Sequence, residues 1–360
     1  MVKILHAADF HLDSPFSGLT EEKARLRRRE CRELVSRLVD YANSQGVELM
    51  LLCGDLFDSR RVYAQTAEEL SAALGRFRGQ VVITPGNHDP WSRHSPYARQ
   101  NWPENVHIFC TNQLERLNFP QYGCVVYGAA FTAEEAPALE LGENLYRDGE
   151  VTLLAIHGEV TGGSSRYRAI HPRVLERSGV DYAALGHVHA CSGVQYAGKT
   201  AYAYCGCPEG RGFDELDEKG FLVGEVGEGK VELRFVPFAR RQYRQIAVDV
   251  TGRDACAAAQ EALSGAAEDI CRLVLTGERG DDTDVPMLEE RLSPLAWQLE
   301  IRDRRREAEN IWSRCGEDSL RGLFLARLRE EYNGADEERK RIIEQAVRYG
   351  LAAMENREME

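Results

Sequence analysis

The chain opens with short apolar runs alternating with longer amphipathic stretches. Residues 2–8 (VKILHAA) read as a strand. Over residues 21–45, Leu34, Val35, Leu38, Val39 and Ala42 fall on one helical face, and Gly46 is placed to end that helix. VELMLLC (47–53), a helix near 64–78 and VVIT (81–84) continue the pattern, and CVVYGAAF (124–131), VTLLAIH (151–157) and VDYAALG (180–186) follow it. Strands that are apolar almost throughout and separated by helices predict a sheet covered on both faces. Beyond residue 190 the texture changes to hairpins. GVQYAG-KTAYAY and GFLVGEV-GEGK-VELRFVPF each carry two strand-like runs around a glycine turn. The whole predicts a layered α/β sandwich.

A second pattern starts near Gln242. RQIAVDV, DACAAAQEALSG, ICRLVLTGE, VPMLEERLSP and AWQLEIRDRR read as strand, helix, strand, helix and strand over about 65 residues. From Glu307 onward the chain reads as charged helices. Leu320, Leu323, Phe324, Leu325 and Leu328 make one apolar stripe, and Ile342, Ile343, Ala346, Val347 and Leu351 make another. Such a tail either packs on its own domain or docks a partner helix. The expected organisation is a core over 1–240, a small α+β domain over 241–306 and a helical tail over 307–360.

Composition narrows the class. At 360 residues and 43% hydrophobic content the chain can bury a large core. No apolar run approaches membrane-spanning length, and MVKILHAADFH makes a poor signal peptide, so a cytoplasmic protein is expected. The ten cysteines are scattered without a CxxC pair, which argues for buried packing over zinc or disulfides. A formal net charge of −13 excludes a generic nucleic-acid binder held by bulk charge, although local patches and bound metal can offset it. The bland reading of the basic clusters at 25–32, 240–244 and 302–306 is a solvated helix face or strand end, and it is preferred for the first. GEVGEGK (224–230) has phosphate-loop spacing, but Val231 stands where Ser or Thr is required and both flanks are strands, so it is a hairpin turn.

The informative polar groups sit where apolar strands end. Asp9 and His11 follow the first, Asp55 and Asp58 the second, Asn87, His88 and Asp89 the third, His157 the fifth, and His187 and His189 the sixth. The carboxyl ends of strands in an open α/β sheet lie on one side, where ligands bind, so residues spread over 180 positions can converge. Each piece alone is common. DxH, GDxxD, GNHD, HG and GHxH in that order, each at a strand end, are not. Mixed Asp, Asn and His donors without thiolate suit manganese, iron or zinc. Seven donors are too many for one ion but suit two ions sharing a carboxylate. Such a pair grips a phosphate and generates hydroxide near neutral pH, which implies phosphoester hydrolysis. His6 reads as packed in its strand, and His94, His107 and His171 match no motif.

This set resembles that of the calcineurin-like metallophosphoesterases. HAADFHLDSPF (6–16) and YCGCPEGRGFDELDEKGF (204–221) narrow the resemblance to SbcD-like and YhaO-like DNA repair exonucleases, over roughly residues 1–240. It implies a four-layer α/β sandwich core followed by a capping domain. It further implies one divalent ion on Asp9, His11, Asp55 and His189, and a second on Asp55, Asn87, His157 and His187, with manganese expected and iron or zinc as alternatives. In that pattern His88 is no ligand but protonates the leaving oxygen, and Asp89 steadies its ring. Arg211 is a candidate for a DNA phosphate, the competing reading being a rigid loop that braces His187 and His189. Cys207 stands where the family has a small residue and is read as packing. The implied partners are DNA, an SbcC/YhaN-like coiled-coil ABC-type ATPase docked on the C-terminal helices, and a second copy in a homodimer. A metal-dependent phosphatase or cyclic-nucleotide phosphodiesterase would use the same core. A non-enzymatic scaffold of an ATPase complex is disfavoured, because every ligand and His88 are present.

Overall fold

In a computed structural model, which describes residues 1–59, 62–142, 145–146, 149–279, 284–307 and 311–354, the apolar runs build two six-stranded sheets. The first runs in the order Lys230–Pro237, Gly220–Gly227, Val2–Ala7, Leu49–Leu52, Gln80–Ile83 and Val106–Ile108. Its last four strands are parallel, and the 220–237 hairpin adds antiparallel to Val2–Ala7. The second runs Gln195–Ala197, Thr200–Tyr204, Tyr182–Gly186, Val151–His157, Cys124–Ala129 and Glu115–Phe119. Both predicted hairpins therefore extend a sheet and do not form a layer of their own.

Side chains alternate across each strand, which sorts the core into layers. Leu5, Ala7, Met50 and Leu52 pack with Leu34, Leu38 and Leu74 of the helices Glu21–Ser44 and Ala64–Gly75. Their neighbours Ile4, Leu49 and Leu51 face the other way and meet Leu153, Ala155, Tyr182 and Ala184 of the second sheet. The outer face of that sheet presents Leu154, Ile156, Ala183 and Leu185 to Leu175 of the helix Pro172–Ser178. The order is helix, sheet, sheet, helix, a four-layer α/β sandwich. Truncating a fully buried leucine such as Leu38 costs about 2–5 kcal/mol in such a core. The long helix starts where Thr20 accepts a hydrogen bond from the Lys23 amide and ends beside Gly46 at φ +65°.

The chain divides into two compact units. The first comprises Met1–Gln245, Gly265–Arg272 and Pro294–Leu299; the second comprises Ile246–Ser264, Leu273–Ser293 and Glu300–Glu360. The element order read beyond Gln242 is the order found, with strands Tyr243–Asp249, Ile270–Thr276 and Gln298–Asp303 in one sheet and helices Ala255–Ala262 and Val285–Leu292 between them. Asp254 and Asp284 cap those two helices. In the second unit the helices Leu320–Asn333 and Glu337–Met354 bury Leu325, Ile343 and Val347 against Trp312, Phe324 and Leu328. Leu320, Leu323, Ile342 and Tyr349 stay exposed. Residues 308–310 and 355–360 of the tail lie outside the described residues. Among the described residues no helix is long and apolar enough to cross a membrane.

Candidate metal centre

The loops that leave the parallel strands meet one another directly. The Asp9 amide donates to the Gly54 carbonyl at 2.9 Å, the His187 amide to the Asp9 carboxylate at 3.1 Å, and the His88 amide to Asp55 Oδ1 at 2.9 Å. Asp9, His11, Asp55 and His187 all adopt positive φ, four of the seven described non-glycine residues that do. Backbone strain of that kind persists only where surrounding contacts over-determine it, and it clusters at functional sites. Two glycines in the motifs are forced by the same crowding. A Cβ on Gly54, itself at φ +92°, would collide with the His157 ring, and one on Gly86 would collide with Asp55.

Among the described residues donor atoms converge in three groups, Asp9–His11–His189, Asp9–Asp55–His157 and His11–Asp58–His88, the third sharing His11 with the first. In the first, His11 Nε2 and His189 Nε2 face each other at 3.3 Å, with Asp9 Oδ1 at 3.9 Å from His189 Nε2 and Asp55 Oδ2 at 3.7 Å from His11 Nε2. His189 Nδ1 sits 2.7 Å from Glu215 Oε1, so it carries the proton and donates to that carboxylate. Arg211 Nη2 also lies 3.1 Å from His189 Nδ1, but a nitrogen donating to Glu215 cannot accept there, and Nη2 is served by Glu215 Oε1 at 3.1 Å. The His189 Nε2 lone pair is thereby left pointing at His11. Two imidazole nitrogens aimed at each other repel unless one is protonated or a cation lies between them. Metal–nitrogen bonds of about 2.0–2.1 Å in tetrahedral geometry put ligand atoms roughly 3.3 Å apart. The residues fit an ion.

The second group gathers Asp9, Asp55 and His157. His157 Nδ1 donates to the Cys53 carbonyl at 2.9 Å, which leaves Nε2 facing Asp55 Oδ2 at 3.4 Å and Asn87 Oδ1 at 3.0 Å. His187 stacks edge-on against His157 with ring centroids 5.3 Å apart. Asp55 Oδ2 thus reaches the first two groups. Burial would lower the His157 pKa, yet the adjacent Asp55 and Asp9 raise it to about 9. Burial lifts the Asp9 carboxyl to about 6, against the pull of His157 and His189. Burial also opposes ionisation of Asp55, but His157 and His11 hold it below the ordinary carboxylate range. Two buried carboxylates this close demand positive charge between them, which a proton on His157 or a bound cation would supply.

Around these donors lies a shell that the sequence motifs only partly cover. Asp58 Oδ1 is 3.3 Å from His11 Nδ1 and 3.1 Å from Arg211 Nη1. Burial favours a neutral Asp58, but His11 and Arg211 keep its pKa low. The same competition brings Glu215 to about 2, where His189 and Arg211 outweigh burial. His88 is exposed, its ring 4.8 Å from that of His11, and its Nδ1 lies 3.1 Å from the Asp58 carbonyl. Asp89, expected to steady that ring, has other partners: it accepts from the Gly86 amide at 2.8 Å, the Phe57 amide at 3.0 Å and the Tyr97 hydroxyl at 2.5 Å. It ties the loop together beneath His88, because a buried carboxylate must satisfy its lone pairs locally. Cys207 is buried against the His189 carbonyl and Glu215, as packing. His6 is packed too, His171 caps the helix that follows it, His107 bonds Gln80, and His94 lies by Arg99 on the surface. Two neighbours of the site, Glu215 and Tyr167, belong to none of the strand-end motifs; the Tyr167 ring lies 5.1 Å from that of His187. Glu215 falls within the 204–221 segment, and nothing in its spacing marks it.

The calcineurin-like phosphoesterase family model matches residues 2–191. The chain is 32% identical to the uncharacterized metallophosphoesterase YhaO of Bacillus subtilis, over 69% of this chain and 63% of that protein. It is 26% identical to a subunit of the nuclease SbcCD of Rhodobacter capsulatus, over 55% of this chain and 50% of that one. Identity to the DNA double-strand break repair protein Mre11 of Methanopyrus kandleri is 26%, over 65% and 56% of the respective chains. The chain therefore spans between half and two thirds of the length of these relatives.

Proposed function

The chain belongs to the calcineurin-like phosphoesterase family, and from that premise we propose that it is a two-metal DNA nuclease, an exonuclease of DNA repair or processing. One ion is assigned to Asp9, His11, Asp55 and His189, and the other to Asp55, Asn87, His157 and His187, with manganese as the first candidate. Divalent ions there would supply the charge that holds a phosphodiester and acidifies a water. The carrying observation is the position of His88, exposed beside the convergent donors with Nδ1 on the Asp58 carbonyl. With Nδ1–H donated to that carbonyl, Nε2 is the nitrogen that can carry a proton to a leaving oxygen. The buried Asp89 holds Gly86 and Phe57 on either side, which fixes the loop from which His88 projects.

Two relatives support DNA as the substrate, one named as part of a nuclease and the other as a DNA double-strand break repair protein. The exposed Leu320, Leu323, Ile342 and Tyr349 support the tail as the dock for a coiled-coil ABC-type ATPase. The test is a manganese-dependent assay on end-labelled single- and double-stranded DNA beside a cyclic nucleotide. Cleavage of DNA that is lost in Asp55→Ala is expected. Turnover of the cyclic nucleotide alone would replace the nuclease reading with a phosphodiesterase. Removing residues 307–360 should leave basal cleavage intact and abolish ATPase capture in a pull-down.

A further inference from the structure

We infer that Arg211 is a positioning residue for one of the two ions, acting through Asp58 and Glu215 and not as a ligand of substrate. This rests on the reading that His11 and His189 share an ion. Both histidines turn Nδ1 towards a carboxylate: His189 donates to Glu215 at 2.7 Å, and His11 lies at ion-pair distance, 3.3 Å, from Asp58 without a hydrogen bond. Arg211 grips both carboxylates, with Nη1 on Asp58 Oδ1 and Nη2 on Glu215 Oε1, each at 3.1 Å. Its own amide donates to Glu215 Oε2 at 2.8 Å. Both ends of its guanidinium are therefore spent on the carboxylates behind the two ligands.

The loop that carries it is pinned from outside the site. Glu209, two residues earlier and buried, accepts from Arg27 Nη2 at 2.7 Å and from the Arg240 and Arg241 amides at 2.9 and 3.2 Å. Arg27 and Arg241 also share Glu30, so four buried charges close on one another. Beyond Arg211, Lys219 Nζ donates to the His189 carbonyl at 3.0 Å. The loop thus holds Arg211 at a fixed distance from both carboxylates.

The chemistry gives the hub a purpose. A carboxylate behind a metal-binding imidazole fixes which nitrogen faces the ion, and losing it typically costs about 10–100-fold in metal affinity. Asp58 and Glu215 could instead swing in and bind metal themselves. A guanidinium shared between them opposes that tendency and tethers both carboxylates by hydrogen bonds. Among the described residues no hydrogen bond or ion pair joins Arg211 to His157 or His187, so the effect is confined to one ion.

Manganese titration by calorimetry and by electron paramagnetic resonance reads this without DNA. For Arg211→Met the expected result is one ion bound as in the wild type and the other weakened about 10–100-fold, with loss of the spin-coupled signal of two adjacent ions. Arg211→Lys should recover part of it. Cleavage of a nitrophenyl phosphodiester should show a lowered kcat that excess manganese restores, at unchanged KM. Two wild-type ions in Arg211→Met together with a raised KM for DNA would overturn the inference in favour of a phosphate contact. Equal loss of both ions in Arg211→Met and Arg211→Lys would overturn it as well. Asp55→Ala checks the underlying reading separately: if it keeps both ions, the assignment of the ligands fails whatever Arg211 does.

Discussion

His189 donates to the side-chain carboxylate of Glu215, and His11 faces that of Asp58 at 3.3 Å, whereas His157 donates to the main-chain carbonyl of Cys53. The difference extends to their surroundings. His157 ends a strand buried along its whole length, and its side chain is 0% exposed. The His189 side chain is 28% exposed, and its brace lies on a loop that needs its own anchors. The Cys53 carbonyl, one residue past the strand Leu49–Leu52 and beside an amide held by the Ala7 carbonyl, is main chain and remains when a side chain is replaced. A carboxylate gives a more basic ligand and a stronger hydrogen bond, but depends on three or four other side chains. One half of the centre is therefore built into the fold, and the other is assembled on it.

The largest effect should come from the residue common to both halves. Asp55→Ala removes the oxygen that faces both His11 and His157. Metal analysis after dialysis should find neither ion retained, and turnover should fall at least about a thousandfold, the equivalent of roughly 4 kcal/mol of lost charge stabilisation. Retention of one ion would mean that the halves bind independently. Next is His88→Ala, which should keep both ions and lower DNA cleavage by about 10²–10⁴-fold. A nitrophenolate leaves without a proton, so a nitrophenyl phosphodiester should be cleaved almost normally by the same variant. Equal losses on both substrates would remove His88 from the role of general acid.

The two braces can then be set against each other. Glu215→Gln should weaken one ion by about 10–100-fold, because an amide cannot hold the His189 ring as a carboxylate does. Cys53→Ala leaves the brace of His157 in place, since the carbonyl remains, and should cost only packing at a residue that is fully buried. Calorimetric manganese titration of the two variants reads the contrast, and equal metal affinities would erase it.

The same contrast explains what is legible in the sequence. The strands that lead to the convergent donors are continuous apolar runs buried in the sandwich, so their ends, and the polar residues just past them, stand out. Val106–Ile108 and Glu115–Phe119 do not, because VHI and ERLNF are short edge strands in which polar residues interrupt the apolar pattern. The partner of His88 is hidden for another reason. Asp89 is adjacent in sequence, yet its carboxylate points inward to Tyr97 while the Asp58 carbonyl arrives from another strand end. Braces such as Glu215 are set by loop packing, which leaves no period in the sequence.

A histidine outside the candidate site isolates what burial alone does in this sandwich. His6 lies on the strand Val2–Ala7 of the first sheet, and its Nε2 donates to the Leu185 carbonyl of the second at 3.1 Å while its Nδ1 accepts from the Tyr182 hydroxyl at 2.8 Å. It clamps the sheets together in neutral form. Burial lowers its pKa to about 3, although the Leu185 bond pulls the other way. An unfolded histidine titrates near about 6.5. Between those values the unfolded chain binds the extra proton, so this contribution to stability is complete above about pH 6.5 and is lost as the pH falls towards 3. By pH 5 the loss amounts to about 2 kcal/mol, a Tm change of a few degrees for a chain of this size. His6→Gln can keep both hydrogen bonds without titrating. Its Tm should start below that of the wild type at pH 7.5 and close the gap by about those few degrees at pH 5. Comparing the two chains under identical conditions cancels every other titrating group. A gap that stays constant or widens would mean that His6 accepts a proton inside the fold, and that the sheets are clamped by a charged group.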